Sequence, residues 1–367
     1  MADDARRNGF GPRDAAPGSV RADGRHVDGR YPSRYGGDGT RRFDGGGRRG
    51  HTYAALDLGT NNCRLLVARP HEGGFRVVDS FSRIIRLGEG LSTSGRLSEA
   101  AMARALEALR ICRDKMAARG ALRARTIATE ACRAASNAGE FRARVDAELG
   151  IALEVIDRET EALLAAEGCT PLIDSDASGV VLFDIGGGSS EVVRMERVEG
   201  HPPRLRGWAS LPVGVVTLAE RHGGMHVSRA AYAAMMEDAA MHLAAFARDH
   251  GDDLDGIHLL GTSGTVTTIA GIHLELPRYD RRRVDGIWMH DAEITTTVER
   301  LIGMSYEDRV ANACIGSERA DLVLAGCAIL DAIRQAFPCP RLRIADRGLR
   351  EGMLLQMMRA DGAIRAT

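Results

Sequence analysis

The sequence predicts an α/β protein of two domains, each a mixed sheet flanked by helices. Three observations lead there. Apolar strand-like runs alternate with helical stretches through both halves of the chain. A length of 367 residues allows two domains, each with a sizeable core. The third observation is an internal duplication: residues 53–67 read YAALDLGTNNCRLLV and residues 180–193 read VVLFDIGGGSSEVV, with Asp57 and Asp184 127 positions apart. In each copy an apolar strand ends in Asp, an aliphatic residue and Gly, small polar residues follow, and a second apolar strand resumes.

The elements follow in order. Residues 1–51 form an Arg/Gly-rich arm expected to be disordered: the first fifty residues hold 12 glycines, 11 arginines and 7 aspartates with almost no aliphatic side chains. Such a segment cannot bury enough apolar surface to offset its ordering entropy. The first domain, 52–167, opens with the Asp57 hairpin and continues with a strand over 75–87. Ser98 caps a helix reaching about residue 118, whose Ala101, Ala105, Leu109 and Cys112 share one face. A short central strand spans 125–128, a polar loop 129–137, a helix 138–149 and a strand 153–156, and a helix begins at Arg158. The second domain, 168–367, starts at the Gly-rich hairpin. Strands are expected at 205–211, 257–260 and 341–345, and helices at 213–221, 228–248, 291–301, 320–336 and from about 348. The run Gly261-Thr262-Ser263-Gly264-Thr265 opens a further helix and offers an anion site at its N-terminus.

Composition narrows the class. Hydrophobic residues make up 44% and charged residues 27%, ordinary for a soluble globular protein. No apolar run approaches the roughly 18 residues of a membrane span, and the N-terminus has no secretory core, so no membrane partner is expected. Seven widely spaced cysteines without a CxxC pair fit reduced thiols in a cytoplasmic protein. The single lysine, Lys115, and the lack of GxxxxGK[ST] exclude a P-loop. The arm carries a formal charge of +4, leaving −5 on the remainder, so polyanion binding must rely on a local patch. Arg64, Arg83, Arg86, Arg133 and the run Arg281-Arg282-Arg283 are the candidates, with the arm as a second source.

The duplicated turns carry the chemistry. Gly186, Gly187 and Gly188 let backbone N–H groups approach an anion closely, with Ser189 beside them. Gly59, Thr60 and Asn61 hold the matching places in the first copy. The acids Asp184 and Glu191 flank the glycine turn and suit a divalent cation, with Asp57 as a further candidate ligand. Two phosphate-cradling turns at domain spacing suggest two similar domains closing on one phosphorylated ligand.

Six stretches, in order, then carry a resemblance: ALDLGTNNCRLL, ATEACRAASN, EVIDRETEALL, LFDIGGGSSEVV, LLGTSGTVTTIAG and ADRGLREGMLL, spanning about residues 53–356. The chain resembles the exopolyphosphatase / guanosine pentaphosphatase family of the actin-like ATPase superfamily. The resemblance implies two ribonuclease-H-like domains around an interdomain cleft, and Mg²⁺-dependent hydrolysis of a terminal phosphoanhydride. It also implies a catalytic carboxylate in an E-E-A segment, read here as Thr160-Glu161-Ala162, so that Glu161 is the base. Thr160 departs from that pattern, with Glu159 nearby. Arg133 matches the loop arginine facing the substrate phosphates.

The implied substrate is inorganic polyphosphate, with pppGpp as the alternative, no nucleic acid partner, and a homodimer left open. Because only a dozen residues follow the last motif, short or medium chains are the expected preference. A sugar-kinase-like or chaperone-like ATPase lacks a recognition module between the halves. A non-catalytic polyphosphate or nucleotide sensor would not need Glu161, Asp184 and Glu191 together.

Overall fold

The computed structural model describes residues 51–199 and 201–365, so the expected disorder of the arm lies outside the described residues, apart from His51. The first half runs β1 (Thr52–Leu58), β2 (Asn62–His71), β3 (Gly74–Ile84), α1 (Leu91–Ser94), α2 (Glu99–Ala118), β4 (Ala121–Ala128), α3 (Glu130–Ala134), α4 (Ala138–Leu149), β5 (Glu154–Val155) and α5 (Arg158–Cys169). The second begins with β6 (Gly179–Ile185), β7 (Ser190–Val198), β8 (His201–Leu211), α6 (Val215–His222), α7 (Arg229–His250), β9 (Ile257–Thr262) and α8 (Gly264–His273). It ends with α9 (Arg281–Val284), β10 (Trp288–His290), α10 (Asp291–Ile302), α11 (Tyr306–Ala311), α12 (Val323–Ala336), β11 (Arg341–Ala345) and α13 (Leu349–Ala360).

The duplication read from the sequence is a duplication of topology. The sheets are ordered β3-β2-β1-β4-β5 and β10-β11-β9-β6-β7-β8. In each, the Asp-bearing strand pairs antiparallel with its hairpin partner and parallel with the strand that returns after a helix. Asp57 opposes Arg64, and Asp184 opposes Glu191, in the same register. Gly59 N donates to Asn62 O and Gly186 N to Ser189 O, both at 2.9 Å, so the two turns close identically.

Strand alternation splits each sheet between two cores. Ala54, Leu56 and Leu58 of β1 pack toward α2 and α4, whereas Tyr53 and Ala55 pack toward α5 and α13. Val181 and Phe183 of β6 face α7, α8, α10 and α12; Val180 and Leu182 face α5. Helix α5 therefore lies between the sheets, and α13, arriving from the second sheet, completes the core of the first. The two helices cross on Gly168 and Gly352, where a Cβ would overlap the Gly348 and Leu164 carbonyl oxygens. All seven cysteines are buried and unbridged.

Several local expectations shift. The polar loop at 129–137 contains the single-turn helix α3. The strand expected to reach residue 87 stops at Ile84, because Arg86 takes a left-handed φ of 46°. Helices α9 and α11 and strand β10 are too short for a periodic signal.

Candidate active site

Both turns are built so that their carbonyls are tied back and their amides are left over. Gly186 O and Gly187 O accept from Val215 N (3.0 Å) and Val216 N (2.8 Å) at the start of α6. Close approach there requires Gly214, whose Cβ would stand 2.5 Å from the Gly187 carbonyl. In the first copy, Thr60 O accepts from Gly88 N (2.9 Å), and Asn61 O from Ile85 N (2.8 Å) and Arg86 N (3.1 Å). Among the described residues, the amides of Thr60, Asn61, Gly187, Gly188 and Ser189 donate to no partner. Backbone amides freed in this way form an anion-binding concavity. The Thr60 hydroxyl and the Asn61 and Asn62 side-chain oxygens are also buried without a hydrogen-bond partner.

The turns of the two halves meet directly. A Cβ on Gly187 would lie 3.0 Å from Thr60 Cβ and 3.1 Å from Asn61 N, and one on Gly188 2.8 Å from Thr60 Oγ1 and 3.1 Å from Glu130 Cγ. The third glycine thus allows close approach between the lobes.

Four acids surround this junction. Glu191 is 2% exposed and accepts from Ser189 Oγ (2.8 Å) and Ser210 Oγ (2.9 Å). Its carboxyl is pushed up to about 7, by burial first and then by the charge of Asp184, against the two serine hydrogen bonds. Asp184 is raised to about 6 by burial, with Asp57 adding to the rise and Arg64 and Arg350 opposing it. Asp57 is raised by burial against Arg64 and Arg350. Glu161, in the first turn of α5, is raised by burial and then by the charge of Glu191. Asp157 caps that helix, accepting from Thr160 N at 2.7 Å, which fixes the turn carrying Glu161.

Arg133 stands 2.7 Å from Glu161 as an ion pair and 2.8 Å from Glu130, and Glu130 in turn holds Arg158 at 2.9 Å. The fold brings Arg133, Glu161, Asp57, Asp184, Glu191 and both turns to one junction. The expected arginine patch is only partly available. Arg86 makes a bidentate pair with Asp321 (2.8 and 2.9 Å), Arg83 lies 3.8 Å from Glu107, and Arg281 engages Asp346 (3.4 Å) and Glu351 (3.1 Å). The Arg281-Arg282-Arg283 run is the helix α9.

Other residues escaped the sequence reading. Arg319 packs on the first residue of α8, its Nη1 3.1 Å from where a Gly264 Cβ would be. Its guanidinium lies within electrostatic reach of Arg64. Neither Arg319 nor Arg64 forms an ion pair or hydrogen bond with another described residue through its guanidinium, although Arg64 acts at longer range on Asp57 and Asp184. Ser263, capping α8, has φ 118°, backbone strain of the kind that gathers at ligand sites. Ser210, Glu130 and Arg350 complete the set. Glu130 and Arg350 stand within motifs already singled out, but nothing local marked Ser210 or Arg319.

Two mixed sheets with exchanged helices and paired hairpin turns over a common acid cluster define a two-lobed protein of the actin-like class. Within that class, the chain belongs to the Ppx/GppA phosphatase family, whose model matches residues 66–361. It is 30% identical to the guanosine-5'-triphosphate,3'-diphosphate pyrophosphatase of Aeromonas salmonicida, over 83% of this chain and 59% of that one. The chain thus spans about three fifths of that relative's length. It is 28% identical to exopolyphosphatase 2 of Mycobacterium tuberculosis, over 83% of this chain and 98% of that one. The crystal structure of the Aquifex aeolicus family member superposes with a TM-score of 0.70 at 27% identity, covering 85% of this chain and 98% of that one.

Proposed function

We propose that this protein is an exopolyphosphatase, hydrolysing the terminal phosphoanhydride of inorganic polyphosphate. The observation that carries this reading is the pair of turns whose amides are free in both lobes at one junction. Phosphoanhydride cleavage needs charge neutralisation, in-line positioning and an oriented water more than covalent work by the protein. The amides of Thr60, Asn61, Gly187, Gly188 and Ser189 grip phosphate oxygens. Arg64, Arg133 and Arg319 offset phosphate charge. Glu161, buried and raised, orients the attacking water and takes its proton.

Asp184 and Glu191, facing each other across β6 and β7, would supply carboxylate oxygens to Mg²⁺, with Asp57 a further candidate. Burial raises all three, a cost a cation would relieve. Because no three acids among the described residues form a closed metal cluster, water would fill the remaining positions. When bound, Mg²⁺ neutralises charge on the phosphate oxygens.

The second reading is pppGpp 5'-phosphohydrolase, favoured by the identity to the Aeromonas salmonicida relative. Phosphate release from size-fractionated polyphosphate, pppGpp and ATP, compared as kcat/KM, tests both. The expected order places polyphosphate first; a clear preference for pppGpp promotes the second reading, and inertness toward all three removes both.

A further inference from the structure

Arg309 is only 2% exposed and has no carboxylate partner among the described residues. It belongs to the six-residue helix α11, and its guanidinium is spent on backbone carbonyls. Nη1 donates to Ala320 O (2.7 Å) and Gly224 O (3.2 Å), Nη2 to Met225 O (2.5 Å), and Nε to Ser305 O (3.4 Å). Burying a cation among neutral acceptors is costly, and an apolar side chain could fill the same space. What the guanidinium adds is a planar fork of donors that ties several carbonyls in fixed directions at once.

The place it ties matters. Residues 312–322 join α11 to α12 through turns alone; backbone hydrogen bonds within the segment shape those turns, and contacts from outside it, Arg309 among them, set where the turns lie. Ala320 lies between Arg319, packed on the start of α8 near Arg64, and Asp321, which reaches Arg86 in the other lobe. The 224–225 loop is held at close quarters to the same segment, since a Cβ on Gly224 would overlap the Asp321 carbonyl oxygen.

We propose that Arg309 is a positioning residue of the reaction: it fastens Ala320 O to the 224–225 loop and so aims Arg319 at the phosphates of the substrate. The inference rests on the reading of Arg319 as a phosphate contact. Arg309 itself touches no substrate. A role in stability alone would reduce the folded, active fraction and hence apparent kcat, and would leave KM where it is.

The test compares R309K, R319A and the double variant R309K/R319A, using tripolyphosphate as substrate, with thermal melting by circular dichroism as the check on folding. Lysine keeps charge and approximate length but cannot span the carbonyls, so R309K is expected to remain folded. Its KM should rise about tenfold with kcat within about threefold of the parent. The double variant should be no weaker in KM than R319A alone, because both changes remove one interaction. A parental KM in R309K, a fall confined to kcat, or effects that multiply in the double variant overturns the proposal. If R319A has a parental KM, the reading of Arg319 fails and the proposal falls with it. If R319A is impaired and R309K is not, only the proposal falls.

Discussion

Glu161 owes its raised carboxyl to burial and to the neighbouring charge of Glu191, while Arg133 holds it in place. Glu161→Gln keeps the shape and loses the proton acceptor, so phosphate release should drop by about 10²–10⁴-fold with polyphosphate binding retained. Near-parental turnover in that variant removes Glu161 from the role of base. The acid cluster also makes stability depend on pH. Asp184 and Glu191, displaced upward to about 6 and about 7, bind protons more tightly in the folded chain than in the unfolded one. Their favourable contribution is therefore present at low pH and is lost as pH rises from about 4 through about 7. In chelator, the melting temperature should fall between pH 5.5 and 7.5; Mg²⁺ should flatten the slope, and Glu191→Gln should make it shallower. A slope identical in parent and Glu191→Gln contradicts this assignment.

At the scale of elements, the crossing of α5 and α13 couples site geometry to packing. Helix α5 carries Glu161 and α13 carries Arg350, and their backbones touch through Gly168 and Gly352. Gly→Ala inside a helix ordinarily gains about 1 kcal/mol. At Gly352 the new methyl would overlap the Leu164 carbonyl, so overpacking should win and cost about 1–3 kcal/mol. Gly352→Ala should lower Tm by about 1–2 °C for each kcal/mol lost, with a fall in kcat; an unchanged or raised Tm shows that the helices can slide apart freely. Most elements were legible in the sequence, because long apolar periodicities and the Ser98 cap are local signals, and Ser98 does accept the Ala101 amide; Ser228 caps α7 in the same way. Helices α9 and α11 and strand β10 were not, since their few residues are held by neighbours and not by a pattern of their own.

At the scale of the molecule, the lobes are bridged beside the site. Arg86 grips Asp321 and also donates to Glu318 O at 3.1 Å, while Glu220 accepts from Gly90 N at 2.9 Å and from Ser92 Oγ. Arg104 holds Arg86 in its left-handed conformation by donating to the Ile85 and Arg86 carbonyls (2.8 and 3.2 Å). The same loop ties back the carbonyls of Thr60 and Asn61, so the bridge between lobes and the first turn share one support. Arg86→Ala should loosen closure, seen as a larger radius of gyration by small-angle scattering, and raise KM about fivefold, the equivalent of about 1 kcal/mol. A scattering curve and KM equal to the parent's would show the bridge to be incidental to closure.

The α/β architecture with two sheets, the duplicated turns and the motifs that bear Glu161, Arg133, Asp57, Asp184 and Glu191 can be read in one dimension, because strand alternation, glycine turns and short motifs are written in neighbouring residues. Which arginines are available is set by packing. Arg86 and Arg281 look as free as Arg64 in one dimension, yet their carboxylate partners, Asp321 and Glu351, come from 235 and 70 residues away. Packing likewise brought Ser210 to Glu191 through strand pairing, and set Arg319 beside Arg64 through a turn that Arg309 holds from beneath. Charge pairing and burial depend on which distant segments meet, and that is a property of packing that no local pattern carries.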